Sequence, residues 1–89
     1  MGRIKKVQSV NCFLRDARVK AGITQMEAAR FLGHSTPQYI SNLERELCAP
    51  SVEMAIRLCE FYKADRRDLY SLMLEYHQAA LKKEFGRLG

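Results

Sequence analysis

Residues 24–45 read TQMEAARFLGHSTPQYISNLER, from Thr24 to Arg45, and this stretch decides the fold. Thr24 followed three residues on by Glu27 is the pattern of a capping box, in which hydroxyl and carboxylate each take a free backbone N–H at a helix start. Ala28, Phe31 and Leu32 supply the inward face of the short helix that follows, and Gly33 offers a left-handed stop. After His34 and Ser35 a second start is expected at Thr36-Pro37, a capping hydroxyl before a proline at the first helical position. At about 100° per residue, Ile40, Leu43 and Leu47 fall on one side of this second helix, and Gln38, Ser41, Asn42 and Arg45 on the other. The spacing predicts two short helices and a tight turn, the second helix showing a polar, amide-bearing face.

The flanks are helical as well. Phe13, Leu14, Ala17 and Ala21 recur at helical spacing, with Ser9 or Asn11 as cap and Gly22 as stop. Beyond the connection Leu47-Cys48-Ala49-Pro50, Ser51 caps a helix whose inward face reads Val52, Ala55, Ile56, Cys59 and Tyr62. Lys63-Ala64 interrupts the pattern. Asp65 then caps a last helix, expected over 65–85, with Gly86 opening a tail over 86–89. Leu69, Leu72, Met73 and Tyr76 form one apolar stripe on it, and Tyr70, Leu74, His77 and Leu81 a second. The second stripe is expected to meet an identical chain, the alternative being one wide core face.

Eighty-nine residues with 47% hydrophobic and 28% charged side chains suit one compact domain, with no apolar run near the ~20 residues of a membrane span. Residues 1–10 form a basic arm and 11–85 the domain. The N-terminus lacks a secretory core, so the chain is expected in the cytoplasm. Cys12, Cys48 and Cys59 are odd in number and widely spaced, which argues for free thiols and against a disulfide framework or zinc site. His34 and His77 have no matching ligands or catalytic partners, and no phosphate loop or nucleophile motif occurs. No enzyme activity, cofactor, metal or small-molecule ligand is expected.

The charge is placed unevenly. Residues 1–45 hold eight Lys or Arg against three acidic residues, whereas residues 46–89 hold seven of each sign. A basic half carrying the two-helix element suggests a polyanionic partner. Arg3, Lys5 and Lys6, in the arm, are candidates for phosphate or minor-groove contacts.

Two helices, a tight turn and an exposed polar second helix form the helix-turn-helix pattern that enters the DNA major groove, although a helical hairpin without nucleic-acid function has the same spacing. Leu14-x-x-x-Arg18, Gly22-Ile23-Thr24-Gln25, Glu27-Ala28-Ala29, Leu32-Gly33, Ile40-Ser41-x-Leu43-Glu44 and Pro50-Ser51 resemble the phage-repressor and Cro-like (XRE) helix-turn-helix family from about Leu14 to Leu69. The resemblance implies an all-α, five-helix repressor-like domain, in which helices 2 and 3 form the motif and the C-terminal helix is extended. It implies double-stranded DNA as partner and a homodimer on a palindromic operator.

Carried over residue by residue, the resemblance puts Gln38, Ser41 and Asn42 at base edges, and both amides can pair bidentately with adenine. Gln25, Thr36 and Arg45 fall to phosphates. Arg18 and Glu44 match a structural ion pair. Two departures stand out: GHSTPQYIS carries one residue more than the family pattern, at His34-Ser35, and Glu46 replaces the usual Gly, so that helix 3 is expected to run on to Leu47. The rival function is an antitoxin-like interaction module whose C-terminal helix binds a different protein.

Overall fold

The computed structural model describes residues 9–88; the arm residues Arg3, Lys5 and Lys6 lie outside that range. Among the described residues there are five helices and no strand: α1 (Val10–Ala21), α2 (Gln25–Phe31), α3 (Gln38–Glu44), α4 (Val52–Phe61) and α5 (Arg66–Leu88).

The starts follow capping chemistry. Ser9, Thr24 and Ser51 each accept from the backbone N–H three residues on, and Thr24 with Glu27 completes the capping box. Ser9 is thus the cap of α1, and Asn11 lies inside the helix. At α3 the start falls one residue later than expected, at Gln38, with Pro37 in the flanking position. The Thr36 hydroxyl still accepts from the Gln38 N–H, at 3.4 Å. Asp65 accepts from the Arg67 N–H at 2.8 Å. The last helix does not stop at 85: it passes through Gly86, which a helix interior tolerates at a cost of about 1 kcal/mol, and ends at Leu88.

All four of the first helices end alike. At Gly22, Gly33, Glu46 and Lys63 the backbone is left-handed, with φ of 73°, 87°, 60° and 59°. At each, two successive N–H groups fold back onto carbonyls of the last turn, as Leu47 does onto Asn42 and Ala64 onto Cys59, both at 2.9 Å. Glu46 therefore makes the turn usually given to glycine, and α3 ends at Glu44 instead of running on to Leu47. A left-handed non-glycine residue costs about 1–2 kcal/mol, so tertiary contacts must hold this turn.

Leu14, Ala28, Ala29, Ile40, Leu43, Ala55, Leu58, Cys59, Tyr62 and Leu69 form one buried cluster. Three of them are alanines with no exposed surface, which lets α2 and α4 approach their neighbours closely. Several apolar residues are placed differently from the sequence expectation. Leu47 and Val52 are 63% and 53% exposed, and Leu58, not Val52, completes the inward face of α4. Phe31 is partly exposed and stacks on Phe61, ring centroids 4.1 Å apart, with the Arg57 guanidinium over its outer face. Tyr76 follows the core stripe of α5 yet is 65% exposed, at the edge of a cleft it lines with Val10 and Pro50. No helix among the described residues is long and apolar enough to cross a membrane.

Candidate nucleic-acid interface

The site is built on α3, two turns long, packed on α1 and α2. Ile40 and Leu43 are 1% and 2% exposed and anchor the helix to the core. Their burial fixes which residues face out. Gln38, Thr36 and Arg45 are exposed, and Ser41 and Asn42 are partly so.

Gln38 and Asn42, one helical turn apart, are tied together. The Gln38 Nε2 donates to Asn42 Oδ1 at 2.9 Å, the geometry that i, i+4 spacing favours. The pair still has free capacity: the other Gln38 N–H, the Gln38 Oε1, both Asn42 N–H groups and a second lone pair on Asn42 Oδ1. Asn42 thus keeps the donor and acceptor needed for an adenine edge, with Gln38 restraining its rotamer.

Behind α3 lies an ionic network. Arg18 donates from Nε to Glu44 Oε2 at 2.6 Å and from Nη2 to Oε1 at 3.0 Å, and its Nη1 donates to the Ile23 carbonyl at 2.7 Å. The side chains are 14% and 6% exposed. The hydrogen bonds to Glu44 hold the Arg18 guanidinium above its ordinary range, against the opposing effect of burial. Gln25 joins the network by donating to Glu44 Oε1 at 2.9 Å, a bond that its sequence position did not announce. Glu44 ends a helix, where a carboxylate opposes the dipole; three donors offset this.

In the turn with the extra residue His34 is half-buried, whereas Ser35, Thr36 and Pro37 are exposed. His34 lies against Tyr39, with ring centroids 5.3 Å apart, and burial pushes the Tyr39 phenol above its ordinary pKa.

On α5, Tyr70, Leu74, His77 and Leu81 all lie exposed, within about 60° of arc on the helix surface. Phe85 continues the stripe at 69% exposure. At its base a groove between α4 and α5 is lined by Val52, Ile56, Leu69, Tyr70, Met73 and Leu74. Among the described residues there is no cluster of side chains able to hold a metal ion.

Comparison with known proteins agrees with this architecture. A helix-turn-helix family model matches residues 14–69, most of the chain. No match is found among curated protein sequences. Among solved structures, the clp gene regulator ClgR from Corynebacterium glutamicum is similar over 83% of each chain, at 29% identity and a TM-score of 0.61. With the fold, the two-helix element and the matched span in agreement, this chain belongs to the XRE-type helix-turn-helix family of DNA-binding transcription regulators.

Proposed function

We propose that the protein acts as a homodimer on an inverted-repeat operator, α3 of each chain entering the major groove of one half-site. The observation that carries this reading is the Gln38–Asn42 pair, held at 2.9 Å on the open side of α3 while Ile40 and Leu43 fix the other side in the core. Two restrained carboxamides on an exposed helix face suit bidentate reading of adenine. Ser41 reaches an adjacent base.

Thr36, Arg45 and Gln25 contact phosphates, which set register without reading sequence. Gln25 does so through its second amide hydrogen, its first being held by Glu44. The basic arm adds phosphate contacts. The stripe Tyr70, Leu74, His77 and Leu81 forms the interface between the two chains, and a two-fold axis there sets the half-sites about one helical turn apart.

Sedimentation equilibrium with and without a duplex tests the assembly. Two chains without DNA and two chains per operator are expected, and Leu74→Glu with Leu81→Glu should give a folded monomer. A wild-type chain that stays monomeric and leaves α5 free to bind a different protein would favour the interaction-module reading instead.

A further inference from the structure

We infer that Asn11 is a positioning residue for DNA reading, clamping the C-terminal end of α3 through both hydrogens of its side-chain amide. The inference rests on the reading of α3 as the recognition helix. Asn11 Nδ2 donates to the Leu43 carbonyl and to the Cys48 carbonyl, each at 2.8 Å. One acceptor lies in the last turn of α3 and the other beyond it. Between them stands Glu46, left-handed with φ of 60°. The amide of Asn11 therefore bridges the two sides of the turn that a glycine would have made without strain.

Asn11 and Arg18 are seven residues apart, so they share one face of α1. They grip α3 at neighbouring residues, Leu43 and Glu44. Ile40 and Leu43 seat α3 on the core through apolar contacts, which impose no direction, so the polar ties at its C-terminal end set its tilt. Asn11 adds to the bonds at Glu44 a second tie about 10 Å away along α1, which fixes that tilt more closely than the bonds at Glu44 alone. The tilt is what presents Gln38 and Asn42 to base edges, whereas phosphate contacts tolerate a change of angle because they are spread over several groups. Loss of the clamp should accordingly remove sequence discrimination before it removes general affinity.

The test compares the wild type with Asn11→Ala at a temperature where circular dichroism shows both folded. For the Ala variant, affinity for the selected operator should fall about tenfold, the scale of one mismatched base pair, while affinity for a random duplex stays the same. Residual dipolar couplings of the free proteins should show α3 reoriented relative to α1. Equal loss on both duplexes, or no loss with α3 unmoved, would overturn the inference. If Asn11→Ala does not fold, the same measurements on Asn11→Ala with Glu46→Gly, against Glu46→Gly alone, give the same decision. Absence of any preferred site for the wild type would refute base reading by α3, and the inference with it; the couplings would then show separately whether the clamp exists.

Discussion

Arg18 of α1 and Glu44 at the end of α3 meet through two hydrogen bonds, of 2.6 Å and 3.0 Å, with little of either side chain exposed. The pair couples the first helix to α3, and it is bidentate, which lysine cannot reproduce. Removing one partner strands the other as a nearly buried charge. Arg18→Ala and Glu44→Ala should each cost about 3 kcal/mol. The double replacement Arg18→Met with Glu44→Leu should cost less than either single change, because no charge is left unpaired. Urea melts of the four proteins give the comparison; equal and additive losses would mean that the two residues act independently.

Glu46 and Lys63 hold left-handed backbone without the freedom of glycine. Glu46→Gly and Lys63→Gly should each raise stability, by about 1 kcal/mol. Glu46→Ala should not, since alanine retains the Cβ that causes the strain. The contrast between the Gly and Ala variants in thermal melts isolates the backbone effect from the loss of the weak Ser9 contact, which reaches Glu46 at 3.3 Å.

Burial pushes the Tyr62 phenol and the Cys59 thiol above their ordinary values, and the Tyr39 phenol as well. All three are neutral acids in the folded chain. A group with a raised folded pKa contributes stability that is complete below its unfolded pKa and is lost as pH climbs through the folded one. Stability should therefore start to fall as pH passes about 8.5 to 10, the ordinary range of thiols and phenols. Tyr62→Phe should flatten the upper part of this fall in melts recorded from pH 7 to 11. A wild-type profile level to pH 11 would contradict the burial argument.

Much of the fold was legible because local chemistry and tertiary packing agree. Thr24 with Glu27, Ser51, Gly22 and Gly33 announce helix ends by residue type alone. The misplaced features are those where packing overrides local preference. Glu46 takes a conformation its side chain disfavours, so its residue type did not mark the end of α3; Lys63 does the same, but the break at Lys63-Ala64 was legible from the lost periodicity. Leu47 continues the apolar spacing of α3 but lies beyond its last turn, exposed. Ala55, Cys59 and Tyr62 lie inward as their spacing suggested, and Leu58 joins them on that face, whereas Val52, in the first turn of α4, lies beyond the core. At the site, the outward placement of Gln38 and Arg45 was legible from periodicity. The bonds of Gln25 to Glu44 and of Asn11 to Leu43 and Cys48 span 19 or more residues, and no local pattern encodes them.

Gln38→Ala and Asn42→Ala should relax discrimination at the bases they read, each costing about 1–3 kcal/mol on the preferred site. Arg45→Ala should weaken all duplexes by similar factors and lower the slope of log affinity against log salt by about one. Fluorescence anisotropy titrations at several salt concentrations, on preferred and scrambled duplexes, separate the two kinds of residue. A salt slope unchanged by Arg45→Ala would remove it from the phosphate contacts.

The central claim is that α3 reads sequence through Gln38 and Asn42, and selection from a pool of random duplexes tests it most directly. The wild type should enrich an inverted repeat with half-site centres about 10 base pairs apart, and Gln38→Ala with Asn42→Ala should lose preference at matching positions of both halves. Enrichment of no site by the wild type, or of the same site by the double variant, would contradict it.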